Sequence, residues 1–327
     1  MGDRLTSHEV AALIPYLVKR TALMIITLIG VSILIFSLMR IIPGDIVDIL
    51  FDAAGYVDPS QRAQVEAELG LDKSLPIQYL SWIGGVLQGD LGYSYISERS
   101  AYDEIASRVP VTLKLAALAM LFSTLLGVPL GVISAVKQNS PLDNVLRVVS
   151  ISGLSLPSFW IGLLVLMFFV QAFGFVPIYP MGRVTFWQEL WLLCLPAFVV
   201  GFRSSALILR MTRSSMLEVL RQDYIRTARA KGASLRAINY YHALKNAVLP
   251  VLTILGLEAA HLIGGLVVIE IVFNVPGIGR YLVESIQFRD YPIVQNLVLL
   301  TAAGTVIINF LIDLSYAALD PRIKFTD

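Results

Sequence analysis

SSMLEVLRQDYIRTARAKGASLRAINYYHALKNAVLP occupies Ser214–Pro250, with apolar, membrane-length segments on both sides of it. Arg210 and Arg213 lead into this stretch. Arg221, Arg226, Arg229, Lys231, Arg236 and Lys245 lie within it, which makes eight of the chain's 25 Lys and Arg residues. Met216, Leu220, Tyr224 and Ala228 recur every four residues, a mostly apolar stripe along one side of a helix, with Arg221, Arg226 and Arg229 off that stripe. Asp223 is spaced to pair with Arg226 at i,i+3. Gly232 follows Lys231 as a glycine just past a helix C-terminus would. Ser234 can cap a second short helix running to about Lys245. Pro250 fits the first turn of the next span, where its missing N–H is not needed. The pattern predicts two short helices outside the membrane with a bend at Gly232. Two readings are open on these residues: an element that inserts into a partner's groove, or an amphipathic segment resting on anionic lipid headgroups.

The composition places the stretch in its setting. Of 327 residues, 56% are hydrophobic and 15% charged, with a mean hydropathy of +0.73. A soluble domain carries about 25% charge, so this is an all-α polytopic membrane protein. A net charge of +1 gives no bulk attraction to nucleic acid. The single cysteine, Cys194, excludes an internal disulfide framework and reads as a small apolar residue in a helix. The uncharged run 21–39 is longer than a signal-peptide core and has no small-residue cleavage site after it, so it reads as a retained first span.

A spanning helix needs about 20 mostly apolar residues. Candidates are 21–39, 113–136, 148–175, 190–212, 251–273 and 297–318, six transmembrane helices in all. The third is over-long and carries Gly153 and Pro157, so a kink is expected there. The fourth is interrupted by Arg203. With the N-terminus inside, the inner segments hold 15 Lys and Arg residues and the outer ones 8, which favours cytoplasmic termini and a cytoplasmic 214–250. The chain then divides into an N-terminal segment 1–20, a first span 21–39, an external loop 40–112, a core 113–319 of five spans that includes 214–250, and a tail 320–327. The external loop contains a charged helical piece, Pro59–Leu69, and holds eleven of the 24 acidic residues. It reads as a solvated cap, a lid, or a contact surface for an external binding protein.

Chemistry of the chain's own is not evident. There is no G-x-x-x-x-G-K-[ST] phosphate loop, no H-E-x-x-H and no G-x-S-x-G elbow, and His8, His242 and His261 are scattered. No enzyme activity, metal or bound cofactor is expected. Ionisable residues inside spans are functional candidates. Glu258 and His261 at i,i+3 share a helix face and could line a pathway, while Glu270 lies roughly 180° away near the outer end and suits a gate or loop contact. Arg203, Asp313 and Glu258 fall in the inner halves of their spans, so Arg203 is expected to pair with Asp313 or Glu258. On the residues alone, three classes stand: an importer subunit, an ion-coupled secondary transporter, and a membrane scaffold with a basic docking loop.

The runs Asp223-Tyr224-Ile225-Arg226-Thr227-Ala228-Arg229-Ala230-Lys231-Gly232, His242-Ala243-Leu244-Lys245-Asn246-Ala247 and Leu249-Pro250 narrow the choice. So do Gly264-Gly265, Glu270 and Phe273-Asn274-Val275-Pro276-Gly277-Ile278-Gly279. Upstream lie Pro43-Gly44-Asp45, Gly89-Asp90-Leu91-Gly92-Tyr93-Ser94 and Ser155-Leu156-Pro157-Ser158-Phe159-Trp160-Ile161-Gly162. In these the sequence resembles the membrane subunit of a binding-protein-dependent ABC importer, and more narrowly the dipeptide/oligopeptide/nickel permease family. Arg226-Thr227-Ala228 stands where the general importer motif has Glu-Ala-Ala. The resemblance implies a bacterial inner-membrane, multi-pass permease that pairs with a homologous permease, two ATPase subunits and an extracytoplasmic solute-binding protein. It implies that ATP and Mg are bound by the ATPases. Tyr224, Arg226, Thr227, Ala228, Arg229, Lys231 and Gly232 would form the ATPase-coupling element. The cargo would be a peptide or similar small solute.

Overall fold

The computed structural model describes residues 7–41, 47, 66–67, 70–94, 96–180, 182 and 184–319; of 7–17 and 315–319 only the backbone is described. The helices are α1 Ser7–Ile41, α2 Leu75–Gln88, α3 Ala101–Val136, α4 Pro141–Ser155, α5 Ser158–Phe173, α6 Phe186–Leu220, α7 Asp223–Ala230, α8 Leu235–Gly265, α9 Val267–Val272, α10 Ile278–Gln287 and α11 Tyr291–Leu319. A two-stranded antiparallel ribbon pairs β1 Tyr93–Ser94 with β2 Arg99–Ser100. The sequence motif Pro43-Gly44-Asp45, the tail 320–327 and most of the expected helical piece Pro59–Leu69 lie outside the described residues.

Among the described residues five helices are long and apolar enough to cross a membrane, and the bent pair α4–α5 makes a sixth span if taken as one. The bend is 104° and falls at the expected place. Leu156 is extended (ψ 133°), as a residue before proline prefers, and Pro157 then caps α5 with φ −62°. The fourth span is longer than 190–212. Thr185 starts α6 with a capping box to Gln188, and 35 residues at ~1.5 Å each reach well beyond ~30 Å of hydrocarbon. Three expectations are corrected. The helix begun at Ser234 does not stop near Lys245: it runs through a π-helical turn, Ile238–Ala243, to Gly265. Pro250 is therefore inside α8, not in its first turn. The expected span 251–273 is also broken, because α8 ends at the weak helix formers Gly264-Gly265 and α9 restarts at Val267.

The chain forms two compact units, Met1–Val109 with Tyr281–Asp327, and Pro110–Arg280. In the first, α1 packs on α11. Ile35, Met39, Tyr291 and Val294 form its core, with Trp82 of α2 against them. Trp82 Nε1 donates to Asn296 Oδ1 (3.2 Å), and Asn296 Nδ2 donates to the Leu91 carbonyl (2.7 Å). These bonds dock the Gly89–Ser94 turn on α11. Asp290, which precedes α11, accepts from Ser94 Oγ; burial pushes its carboxyl above the usual carboxylate range.

In the second unit α6 is central, packing on α3, α4 and α8. Backbones approach closely where α3 meets α6. A Cβ at Gly127 would sit 2.7 Å from Ile208 Cβ, one at Gly131 2.6 Å from Thr212 Cβ, and one at Gly201 2.8 Å from the Ala119 carbonyl oxygen. Small residues at such a seam let helices pack without hydrocarbon-driven burial. Gly131→Ala is expected to lower the unfolding midpoint in detergent, by overpacking of about 1–3 kcal/mol. Gly30→Ala, with open space around it, should leave the midpoint unchanged.

Candidate functional site

Local chemistry stops α6 at Leu220 and restarts a helix at Asp223. The Arg221 and Gln222 amides donate back to Glu218 and Val219, and Gln222 is extended. Asp223 in the first turn of α7 and Arg229 in the last complement the helix dipole. At the far end Gly232 adopts φ +82°, its amide donates to the Arg229 carbonyl (3.0 Å), and the Ala233 amide donates to Ala228 (3.1 Å). This left-handed cap satisfies the last carbonyls and turns the chain. Ser234 Oγ then accepts from the Ala237 amide (3.2 Å) and starts α8.

The anchor of α7 is not the stripe read from the sequence. Met216 and Leu220 belong to α6, while Tyr224 and Ala228 belong to α7, so the four-residue repeat crosses a helix break. The buried residue of α7 is Ile225, 1% exposed, in a cluster with Val132, Ala135, Met216, Ile238, Ala243 and Ala247. Tyr224 is exposed on the ring, but its hydroxyl donates to the His242 carbonyl (3.4 Å) and accepts from Asn246 Nδ2 (2.7 Å), tying α7 to α8. Arg226 pairs with Asp223 at 3.1 Å, as spaced, in full solvent, where such a pair contributes little. Thr227, Arg229, Lys231 and Gly232 are exposed and Ala228 half-buried. The Ile225 peg and the Tyr224 hydroxyl thus hold a short, cation-bearing helix whose Arg226, Thr227 and Arg229 are exposed for contact. Arg213 does not share in that surface. It is turned inward onto Asp143, a partner that spacing along the chain gave no means of choosing.

Ile225→Asp would bury an unpaired carboxylate in this cluster, which costs several kcal/mol. Release of α7 without loss of the spans is the expected outcome, read as new protease cleavage confined to 221–234.

The ionisable residues of the spans are arranged differently from expectation. Glu258 of α8 accepts from Ser204 Oγ of α6 at 2.5 Å, whereas His261, one turn further on, is exposed. Asp313 pairs with Arg20 (3.1 Å), and Arg203 makes no ion pair among the described residues. The expected Arg203 pairing is not formed; a half-buried long side chain can carry its charge outward instead. Glu270 is fully buried. Thr112 Oγ1 donates to its Oε1 (2.6 Å) and the Arg280 amide to its Oε2 (2.9 Å), while the Ile278 amide donates to Thr112 Oγ1 (2.9 Å). Phe273–Gly279 therefore wraps the carboxylate, and Glu270 is a loop contact. Lys114 and Glu189 form a further pair.

Residues 127–325 match the model of the binding-protein-dependent transport system inner membrane component, and residues 13–116 match the N-terminal model of the same kind of protein. The chain belongs to this family. As a binding-protein-dependent permease, it is 40% identical to the di/tripeptide transport system permease protein DppB of Pseudomonas aeruginosa, over 95% of this chain and 99% of the relative. It is equally similar, with the same coverage, to the dipeptide permease DppB of Escherichia coli K12. The glutathione transport system permease GsiC of Pectobacterium atrosepticum is 39% identical over 95% of this chain and 99% of its own. A solved amino acid ABC transporter matches the fold of the permease with TM-score 0.52 at 16% identity, covering 66% of this chain and 94% of that one.

Proposed function

We propose that this permease is one half of the translocation pore of an ATP-driven peptide importer. The observation that carries the reading is near-full-length similarity to permeases named for dipeptide and di/tripeptide transport. The other half would be a homologous permease, and an extracytoplasmic binding protein would deliver the cargo. Two ATPase subunits would hold ATP and Mg and grip α7, with Tyr224, Arg226, Thr227, Ala228, Arg229, Lys231 and Gly232 as the coupling surface. The exposed cations of α7 suit a groove lined with carboxylates. The inner excess of Lys and Arg favours both termini, and α7, in the cytoplasm of a bacterial cell. Of the ionisable candidates in the pore wall, His261 is the one exposed to meet a solute, while Glu258 and Glu270 hold the wall together.

The test is uptake of labelled dipeptide by proteoliposomes holding the assembled complex and its binding protein. Uptake that requires internal ATP is expected. Uptake that persists without ATP and follows a proton gradient would overturn the reading.

A further inference from the structure

A buried, bidentate ion pair in the second unit lies beside the seat of α7 and is used by nothing described above. Asp143, in the first turn of α4, is fully buried. Its carboxylate is filled on every side: Arg213 of α6 donates through Nε to Oδ1 and through Nη2 to Oδ2, both at 2.9 Å, Ser134 Oγ of α3 donates to Oδ1 (2.5 Å), and the Asn139 amide donates to Oδ2 (2.9 Å). A fork-to-fork pair of this kind fixes orientation as well as distance.

What the clamp joins gives it a purpose. Ser134 sits between Val132 and Ala135, the two α3 residues that receive the Ile225 peg. Arg213 lies one turn before Met216, the α6 residue in the same cluster, and ten positions before α7 begins. Further along, Ser150 Oγ of α4 donates to the Ala206 carbonyl of α6 (2.9 Å). The end of α3, the start of α4 and the end of α6 are thereby tied into one block, and α7 is seated on that block through Ile225.

We propose that Asp143 and Arg213 are positioning residues for energy coupling: they make the seat of α7 rigid, so that displacement of α7 by a partner is passed to α3 and α6 and is not absorbed locally. The inference rests on the reading of α7 as the coupling element. A looser seat would leave α7 able to dock but unable to transmit, because a two-state change needs its elements to move as packed bodies.

The test uses the assembled importer and two readouts. In Arg213→Gln, labelled dipeptide moved per ATP hydrolysed is expected to fall at least tenfold in complexes that retain their ATPases. Hydrogen exchange of amides 223–233 is expected to accelerate by a similar factor, with the middle of α3 and α6 unchanged. Arg213→Lys, which keeps the charge and loses the fork, should give intermediate values of both. An unchanged ratio of transport to hydrolysis together with unchanged exchange in Arg213→Gln overturns the proposal. So does loss of protection throughout α3 and α6 in both variants, which would mark a general fold contact. If exchange changes locally but the unmodified complex shows no ATP-driven uptake, Asp143 and Arg213 rigidify the seat of α7, but the importer reading fails and the coupling role is overturned with it. If ATP-driven uptake is present and unaffected by the variants, the importer reading stands and the clamp fails.

Discussion

Gly232→Pro is expected to lower ATP-driven uptake on the order of a hundredfold while leaving membrane insertion intact. Gly232 holds φ +82°, and proline is locked near −65°. The substitution also removes the amide that donates to the Arg229 carbonyl. Together these disfavour the observed turn by about 3 kcal/mol or more, a factor on the order of a hundred in population. A Cβ at this position meets nothing within 4 Å, so the effect comes from backbone conformation and not from packing. Gly232→Ala should accordingly show a smaller defect of the same kind. The measurement is uptake and ATP hydrolysis in parallel on reconstituted complexes, with flotation of membranes to check insertion. Uptake near normal in Gly232→Pro would count against α7 as the coupling element.

The second large effect is expected at Gly277. A Cβ there would fall on the Glu270 carboxylate and 2.5 Å from Thr112 Oγ1, and these side chains can move aside only by giving up the hydrogen bonds they make to each other and to the Arg280 and Ile278 amides. In Gly277→Val the 273–280 loop could not close, and Glu270 would lose the Arg280 amide and the Thr112 hydroxyl that Ile278 helps to orient. Leaving a buried carboxyl without its hydrogen-bond partners costs about 1–3 kcal/mol for each bond lost, enough to lower the unfolding midpoint by several degrees. Gly264→Ala, where a Cβ meets nothing within 4 Å, is the control. Thermal unfolding in detergent and protease access to 273–280 would measure the difference. A midpoint equal to that of the control would remove Glu270 from its role as the loop's anchor.

The two sites differ in how much of them can be read along the chain. Around Gly232 the signals are local: a cation then a glycine, a serine three residues before the amide that donates to it, and an acid three residues before a base. Each acts within a turn of helix, so spacing is enough to place it. At Gly277 the glycine is equally visible, but the carboxylate it must avoid is seven residues back and the hydroxyl that completes the site is at Thr112. No period connects those positions. The same contrast appears in α7. The four-residue apolar repeat predicts one face, yet the helix break at Arg221–Gln222 divides that repeat, and Ile225 becomes the peg because of where Val132, Ala135 and Ala247 lie.

Sequence by itself determined that this chain is a helical membrane protein, where most of its spans run, that one of them bends at Pro157, and that a basic stretch with a glycine-capped helix end at Gly232 interrupts them. Hydropathy over twenty residues, proline geometry and helix capping are all local in the chain, and the low dielectric of a bilayer makes them binding. Tertiary structure alone decided which charges face inward. Arg213 is spaced like its neighbours in the basic stretch, and only the approach of Asp143, Ser134 and the Asn139 amide turns it from a surface cation into a clamp. Burying a charge requires its partners to be in place, and those partners come from α3, α4 and the turn between them, positions that only folding brings together.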